Sequence, residues 1–397
     1  MGMKVGVFFG GRSVEHEVSV ISAIQALHSF DKAKYDIVPV YMTKDGYMYV
    51  GDSVGKIEEY RDIPSLLKKS MRVIGVRDND RFLLVRYPIK RFGNSVYSAI
   101  DVAFPIVHGT NVEDGALQGY FKTMSVPFVG CDVTASALGM DKYATKAILN
   151  YNAIPILNCK RVSMKPFFKN TKIILSEIEK EISYPMVVKP LNLGSSIGIK
   201  KALNAEELEE GLETVFQYAG EALVERAVQN LMEINCAVLG DMESAIASEC
   251  EEPISAHDVL NYSDKYIAGN KTGGAGGKGM SSAKRKIPAD IHWKMRDKVR
   301  NLALKTFHAL GCCGVARVDF LIDAVSGDIW VNEINTIPGS LSFYLWSPTG
   351  LSYTELLDRL VGLALKRERE NSALSYSLDI NLLADFAPAG LKNGSKT

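Results

Sequence analysis

The sequence lacks an excess of charge of either sign. Its 397 residues include 46 basic and 46 acidic side chains, so the formal net charge is zero. Nucleic acids and anionic membrane surfaces attract proteins with a basic surplus, and this chain has none. The composition therefore favours a small-molecule substrate, and we expect neither a nucleic-acid partner nor a membrane partner.

Long apolar runs are also missing. No run reaches the roughly 18 residues that a membrane-spanning helix needs. One lysine precedes a short apolar stretch at the N-terminus, which predicts a first strand rather than a secretory signal. The six cysteines are scattered without metal-ligand spacing, a pattern typical of reduced, buried thiols. These features predict a cytoplasmic protein.

Two common phosphate-binding motifs are absent or out of context. The sequence contains no G-x-x-x-x-G-K-[ST], which excludes a P-loop enzyme. Residues 274–279 satisfy G-x-G-x-x-G, but they follow no apolar strand and begin no amphipathic helix. The dinucleotide motif needs both neighbours, so we interpret the polar, glycine-rich residues 261–286 as a long loop or lid.

The first 135 or so residues alternate strand and helix patterns. Strands are predicted at residues 3–9, 35–42 and 99–107, with a helix at 14–30, which indicates an open parallel α/β sheet. Residues 51–98 interrupt this alternation with β-rich stretches at 71–76 and 82–85. We expect a hairpin insertion at the edge of the sheet.

A second unit begins near Gly139. Its pattern predicts a helix at 141–150, a strand at 185–189 that enters a glycine-rich turn, a helix at 205–218 and a strand at 221–225. From Met232 onward the strands at 233–239, 244–249, 315–323 and 328–335 suggest an antiparallel sheet. The predicted domains are residues 1–138, 139–229 and 230–397.

The strongest local pattern lies in the last two of these strands. Side chains two residues apart share one face of a strand. An antiparallel register that pairs Asp319 with Glu333 also places Arg317 opposite Asn335, and the two carboxylates and the amide then converge. Hard oxygen ligands of this kind suit Mg²⁺ or Mn²⁺, with nucleotide phosphates completing the coordination shell. The alternative is an ordinary solvated strand face.

At this hairpin the sequence resembles the D-alanine–D-alanine ligase family of the ATP-grasp superfamily, whose signature is R-x-D followed by N-E-x-N-T-x-P-G. Five further motifs resemble those of the family, in the same order, at residues 10–19, 108–119, 139–142, 187–190 and 194–198. The matches extend from residue 10 to about 360. The resemblance implies an α/β fold, α+β in its C-terminal part, with an N-terminal domain and two ATP-grasp domains that hold ATP between them.

The resemblance also implies an activity. The expected reaction is ATP-dependent ligation of two D-alanines through an acyl phosphate, for peptidoglycan precursor synthesis. The expected cofactors are ATP and Mg²⁺ or Mn²⁺, as two ions held by Asp319, Glu333 and Asn335. The expected partners are small amino acids, and a homodimer is a family expectation.

Several residues match positions where the family binds ATP. Lys142 and Lys189 would contact the phosphates, although a lone lysine is more often simply solvated. Glu225 and Glu233 would accept hydrogen bonds from adenine and ribose. The family usually has Gly-Arg before the second glutamate, and this chain has Leu231-Met232. Two further nucleotide contacts are expected from Ser196 and Lys265.

Other matches concern the substrates. Glu15 would pair with the ammonium of the first amino acid, or alternatively with the dipole of its own helix. Ser195 and Tyr266 would complete a hydrogen-bonded triad with Glu15. Arg317 and the Gly339 N–H would form an oxyanion hole. His108 would lie beside the first amino acid, with a purely structural histidine as the alternative.

One position departs from the family. After Pro-Gly the family commonly continues F-T-x-x-S, and its serine binds the carboxylate of the second substrate. Here Tyr344 takes the place of that serine. A phenol donates a hydrogen bond but is bulkier, so D-serine, D-lactate or an unusual amino acid is an alternative acceptor. An inactive ATP-binding module is a third hypothesis, against which the complete set of matched residues argues.

Overall fold

Three β-sheets carry the part of the chain that the structure describes, and the helices pack against them. This computed structural model describes residues 2–194, 198–254 and 285–375. The strands are β1 Met3–Gly10, β2 Tyr35–Met42, β3 Met48–Val50, β4 Met71–Asp78, β5 Arg81–Arg86, β6 Val96–Ile100, β7 Val102–Ile106, β8 Cys159–Ser163, β9 Met186–Pro190, β10 Lys200–Ala202, β11 Glu221–Arg226, β12 Leu231–Gly240, β13 Ala245–Pro253, β14 Arg285–Lys286, β15 Gly314–Asp323 and β16 Ile329–Asn335. The helices are α1 His16–Ser29, α2 Ile63–Lys69, α3 Ala116–Thr123, α4 Val133–Met140, α5 Lys142–Tyr151, α6 Met164–Lys169, α7 Thr171–Glu181, α8 Ala205–Phe216, α9 Trp293–Ala309 and α10 Tyr353–Ser372.

The first sheet has seven strands in the order β6-β5-β4-β3-β2-β1-β7. Strand β1 pairs in parallel with β2 and β7, which confirms the expected parallel sheet for these three strands. Strands β3 to β6 extend the same sheet in antiparallel fashion, so the sheet is mixed and the predicted hairpin insertion lies at its edge.

The strand predicted at residues 99–107 is in fact two strands. Asp101 separates β6 from β7, which lie at opposite ends of the strand order. The backbone N–H of Lys4 donates to the Asp101 carboxylate at 2.7 Å, and the Asp101 N–H donates to the Lys4 carbonyl at 2.9 Å. These two bonds attach Asp101 to β1. The alternating apolar pattern of the sequence does not show that the strand breaks at this residue.

The second sheet is antiparallel in the order β10-β9-β11-β8. One face packs against α6, α7 and α8 through a core that includes Phe167, Val188, Leu212 and Val224. Helix α8 begins where the Asn204 side chain accepts the N–H of Glu207, and its apolar residues recur on the face toward the sheet.

The third sheet is antiparallel in the order β14-β13-β12-β15-β16. Its apolar face, with Val318, Phe320, Val331 and Ile334, packs against α9 and against residues of α4 and α5. Strands β15 and β16 pair Asp319 with Glu333 and Arg317 with Asn335, so the predicted register is confirmed. The polar side chains of these strands consequently share the face opposite the core.

Packing crosses the predicted domain boundaries. Helix α10 contributes Leu356, Leu360 and Val361 to the core of the first sheet. Helices α4 and α5 pack in the core of the third sheet instead of the second. The boundaries at 138–139 and 229–230 therefore stay predictions. None of the helices in the described ranges combines the length and the apolar character needed to cross a bilayer.

Candidate active site

A row of polar side chains crosses four strands of the third sheet. Glu251 on β13 pairs with Asn235 on β12, which pairs with Asp319 on β15, which pairs with Glu333 on β16. Directly paired residues of antiparallel strands project from the same face. The row therefore forms a strip of carboxylate and amide groups on the face opposite the apolar core.

Arg317 is the cation at the centre of this face. Its Nε and Nη2 atoms donate to the two oxygens of Asp319 at 2.6 and 2.8 Å, a bidentate geometry. The amide of Asn335 donates to the same carboxylate at 3.1 Å. Burial alone would lower the pKa of Arg317, but the charge of Asp319 outweighs it and raises that pKa. The guanidinium stays charged and fixed in direction.

The chemistry of Asp319, Glu333 and Asn335 fits a divalent cation of the Mg²⁺ type. They supply two carboxylates and one amide oxygen, all hard ligands, from adjacent positions of one face. Their side chains are partly exposed, so a further ligand can reach them. No group of three or more His, Cys, Asp and Glu side chains that could hold a metal ion occurs in the described ranges. Three protein oxygens leave coordination positions of a Mg²⁺-type ion open, so phosphate oxygens can complete its shell.

Lys142 connects this face to the glycine-rich segment. It begins α5, whose first turn is capped by Asp141 through the N–H groups of Tyr143 and Ala144. The Lys142 ammonium donates to the carbonyl of Leu193 at 2.8 Å and lies 3.5 Å from a Glu333 oxygen. The predicted phosphate-contacting lysine thus adjoins a predicted metal ligand.

A buried trio of charges lies between α5 and the second sheet. The Glu225 carboxylate forms ion pairs with Lys146, at 2.6 Å, and with Lys189. Lys189 also donates to the Asn332 side chain at 2.9 Å. Burial would raise the pKa of Glu225, but the two ammonium groups outweigh it and lower that pKa. The trio has a formal charge of +1, which favours a neighbouring anion such as phosphate.

Sequence reasoning missed Lys146. The available signal was its position four residues after Lys142 on one helix, which places both ammonium groups on the same side. Both oxygens of Glu225 are engaged by lysine, so its predicted contact with adenine would use the remaining lone pairs. Glu233 lies partly exposed on β12, opposite Leu321. The nucleotide roles of both glutamates stay predictions.

Glu15 is buried where three segments meet. It precedes α1, and an added Cβ on Gly109 or Gly194 would lie 2.9 or 2.8 Å from its Oε2 atom. Gly194 therefore has to be glycine for the glycine-rich segment to approach this carboxylate. The closeness of Gly194 agrees with the predicted triad, whose other members, Ser195 and Tyr266, lie outside the described residues. Ser196 and Lys265 lie outside them as well.

Glu113 is a second buried carboxylate near Glu15, and sequence reasoning gave it no role. It accepts hydrogen bonds from the N–H of Gly109 at 2.9 Å, the N–H of Ile337 at 3.0 Å and the hydroxyl of Thr336 at 3.4 Å. Burial raises its pKa to about 8, and the charge of Glu15 acts in the same direction. Glu113 ties the loop after β7 to the turn after β16.

His108 has protein partners on both ring nitrogens. Nδ1 lies 2.9 Å from the carbonyl of Ile337, and Nε2 lies 3.0 Å from the hydroxyl of Ser22. Burial lowers the pKa of the ring to about 4. This arrangement agrees with the structural alternative, and contact with the first amino acid stays a prediction.

Tyr344 is partly buried in the turn Gly339–Leu345, which begins at the predicted oxyanion donor. Its hydroxyl donates to Glu251 at 3.4 Å. The guanidinium of Arg285 lies 4.0 Å from the centre of its ring and 3.0 Å from Glu251. Tyr344 is therefore part of a charged cluster that a serine at this position would not form.

These sheets and this polar face define an ATP-grasp enzyme, a class in which two neighbouring units enclose the nucleotide. The model of the D-ala D-ala ligase N-terminus matches residues 4–131, and that of the D-ala D-ala ligase C-terminus matches residues 148–362. The chain belongs to the D-alanine–D-alanine ligase family.

Individual relatives agree with this assignment. A D-alanine–D-alanine ligase of Thermosipho melanesiensis is 36% identical over 96% of this chain and 98% of its own length. One of Acetivibrio thermocellus is 38% identical over 93% and 97%. Among solved structures, the D-alanine–D-alanine ligase of Coxiella burnetii superposes with a TM-score of 0.77 at 28% identity, covering 94% of this chain and 96% of that one. The VanG D-Ala:D-Ser ligase of Enterococcus faecalis gives 0.74 at 30% identity, covering 92% and 100%.

Proposed function

We propose that the protein joins two D-alanine molecules into D-alanyl-D-alanine, with ATP converted to ADP and phosphate, for peptidoglycan precursor synthesis. The observation that carries this proposal is the register that sets Arg317 and Asp319 against Asn335 and Glu333, beside Lys142. Membership of the family supplies the expected substrates, and this face supplies the groups that the reaction needs.

In the first step, the carboxylate of one D-alanine attacks the γ-phosphorus of ATP, and ADP leaves. Two anions must approach each other, so catalysis depends on alignment and on positive charge. Lys142 and Lys189 provide that charge, and the buried Lys146–Glu225–Lys189 trio keeps a net +1 near the phosphates. The product is an acyl phosphate of D-alanine.

Asp319, Glu333 and Asn335 would hold Mg²⁺ or Mn²⁺, as two ions. Such ions, when bound, neutralise charge on the terminal phosphate oxygens. Arg317 and Asn335 both donate hydrogen bonds to the Asp319 carboxylate, which fixes the orientation of this proposed ligand.

In the second step, the amine of the second D-alanine attacks the acyl carbonyl, and phosphate leaves the tetrahedral intermediate. The oxygen of that intermediate carries negative charge, which Arg317 and the Gly339 N–H would stabilise. At comparable sites one such donor contributes about 3–4 kcal/mol. Glu15 would hold the ammonium of the first D-alanine, with Ser195 and Tyr266 completing its hydrogen bonds. The lid predicted for residues 261–286, which lies outside the described residues except at 285–286, would keep water from the acyl phosphate.

A second candidate function is ligation of D-alanine to another acceptor, such as D-serine or D-lactate. The cluster of Tyr344, Arg285 and Glu251 favours it, because the family's serine position is occupied by a larger group with a charged neighbour. One structural relative is named a D-Ala:D-Ser ligase. The same ATP-grasp machinery would serve both reactions.

The test is product analysis with the purified protein, ATP and Mg²⁺. D-alanine alone should give equal amounts of ADP, phosphate and D-alanyl-D-alanine, and L-alanine should give none. D-serine, D-lactate and other D-amino acids should then be offered together with D-alanine. A mixed product formed faster than D-alanyl-D-alanine would replace the first function by the second. Absence of ATP turnover with every pair would favour an inactive nucleotide-binding module.

Two further properties are proposed with this function. Cell-wall precursor ligation draws on cytoplasmic ATP, so we place the enzyme in the cytoplasm. We also propose a homodimer and no nucleic-acid or membrane partner. Light scattering of the purified protein tests the dimer, and a monomer at micromolar concentration would contradict it.

A further inference from the structure

The turn that carries the predicted oxyanion donor has an unusual backbone. Directly after Gly339, the residues Ser340, Leu341 and Ser342 have φ angles of +51°, +52° and +48°. Residues with a Cβ in the left-handed region cost roughly 1–2 kcal/mol each. All three are buried. Other parts of the molecule must therefore hold this turn in place.

A directed chain of hydrogen bonds reaches the turn from α1. The carbonyl of Ile337 can only accept, so His108 carries its proton on Nδ1, at 2.9 Å from that oxygen. The Nε2 atom of the neutral ring is then an acceptor, and the Ser22 hydroxyl donates to it at 3.0 Å. The Ser22 oxygen in turn accepts the N–H of Ser340 at 3.0 Å. Each donor in this chain has one acceptor, with no conflict of direction.

A second bond from the same helix face reinforces the chain. Gln25 lies one turn after Ser22 on α1, and its side-chain oxygen accepts the hydroxyl of Ser340 at 2.6 Å. The first residue before α1 is Glu15, the predicted partner of the substrate ammonium. From Glu15 to Ser22 the helix rises roughly 10 Å at about 1.5 Å per residue. One rigid helix therefore connects the site for the ammonium with the turn that begins at Gly339.

We infer that Ser22 is a positioning residue of the ligation step. Through the His108–Ser22–Ser340 chain it keeps the left-handed turn oriented so that the Gly339 N–H faces the developing oxyanion. Ser22 is not proposed to contact the substrate or the nucleotide. This inference rests on the proposed function. If the Ser22 hydroxyl is removed, His108 Nε2 loses its donor and the Ser340 N–H loses its acceptor. The strained turn can then relax.

The test compares Ser22→Ala with Ser22→Thr and Ser19→Ala. Ser19 is the matched control, because it lies on the same helix, is equally buried, and accepts the Gly10 N–H at 2.7 Å while donating to Ile106 at 2.6 Å. Its bonds support β1 and β7, not the turn.

Loss of a complete oxyanion donor slows catalysis about 10²–10³-fold, so a displaced donor should slow kcat about 10- to 100-fold in Ser22→Ala. The KM for ATP should stay within about twofold, since the nucleotide contacts are unchanged. Ser22→Thr, which keeps the hydroxyl, should recover most of the rate.

A single-turnover experiment separates the two chemical steps. ADP forms in the first step, and the tetrahedral intermediate occurs only in the second. In Ser22→Ala, dipeptide formation should therefore slow far more than ADP formation, whereas Ser19→Ala should lose thermal stability without this separation. Equal slowing of both steps, equal losses in Ser22→Ala and Ser19→Ala, or no recovery in Ser22→Thr would overturn the inference. An unmodified protein that forms no dipeptide would refute the proposed function and this inference with it, while an active protein insensitive to Ser22→Ala would refute this inference alone.

Discussion

Two charged clusters border the same site, and they differ in charge and in burial. On the third sheet, Arg317, Asp319 and Glu333 share one face and carry a formal charge of −1, which Lys142 of α5 balances through its ion pair with Glu333. Next to the second sheet, Lys146 and Lys189 enclose Glu225, so that cluster has a charge of +1. The Asp319 and Glu333 side chains are 14% and 22% exposed, whereas those of Lys146 and Glu225 are 1% and 3% exposed.

From this difference in burial we infer separate roles. The partly exposed cluster can bind a ligand, and the buried cluster provides a fixed electrostatic environment. Partly exposed carboxylates keep oxygen lone pairs for an incoming cation. The buried lysines cannot leave Glu225 without exposing an unpaired buried charge. We therefore propose that their electrostatic field favours phosphate binding, in addition to the direct contact predicted for Lys189. Mutation of the first cluster should consequently affect activity before stability, and mutation of the second should affect both.

The largest expected effect is that of Asp319→Ala. The change removes a proposed metal oxygen and also the carboxylate that orients Arg317, so turnover should fall at least about a thousandfold, to background. The measurement is ADP release with D-alanine over a range of Mg²⁺ concentrations. Asp323→Ala is the control, because Asp323 ends the same strand and bonds to the exposed turn at Val325 and Ser326. Near-normal activity of Asp319→Ala with Mg²⁺ would reject the metal assignment.

In the second cluster, Lys146→Met should mainly reduce stability. Removing one partner of a buried ion pair costs about 3–5 kcal/mol, which urea-induced unfolding would measure. Lys160→Met removes a surface pair with Glu181 in the same region and should cost at most about 1 kcal/mol. The KM for ATP should rise in Lys146→Met only. Equal stability losses in the two variants would show that the burial of the trio does not matter energetically.

The two clusters were not equally predictable from the sequence. Residues two apart share one face of a strand, and a single strand pairing then sets which residues lie opposite each other. The sequence alone therefore predicted the contact of four residues: Arg317, Asp319, Glu333 and Asn335. Lys146 and Glu225 are 79 positions apart, on a helix and a strand that pack in different hydrophobic cores, and no local rule pairs them. Ser22 and Ser340 meet only because α1 packs against the turn after β16. The chain break at Asp101 depends on its bonds to Lys4, which local periodicity cannot show.

His108 has a third kind of environment, because its ring is buried and neutral. Burial lowers its pKa to about 4 from an ordinary value of 6.5. The unfolded chain binds the proton more tightly, so the stabilisation due to the neutral ring is present above pH 6.5 and is lost as the pH falls toward 4. The full shift corresponds to about 3 kcal/mol.

The variant His108→Gln isolates this effect from the other acidic groups. Its stability deficit relative to the unmodified protein should be largest near pH 7 and should narrow between pH 6.5 and 4, as measured by urea-induced unfolding at several pH values. A deficit that stays constant over this range would mean that the ring does not change its protonation on unfolding. It would also weaken the hydrogen-bond directions assigned to the chain from Ile337 to Ser340.

The smallest expected effect concerns Tyr344, and it bears on which second substrate the enzyme accepts. Tyr344→Ser restores the family's side chain and opens space beside Arg285, whereas Tyr344→Phe removes only the hydroxyl that donates to Glu251. If the ring limits the acceptor by size, Tyr344→Ser should change the ratio of kcat/KM for D-alanine and D-serine by about tenfold, the range that a small change in a binding pocket produces. Tyr344→Phe should leave that ratio nearly unchanged. If both variants shift the ratio equally, the Tyr344 hydroxyl and its hydrogen bond to Glu251 select the acceptor. Glu251 belongs to the polar row of the third sheet, so that row would then contribute to binding of the second substrate as well as of the cation.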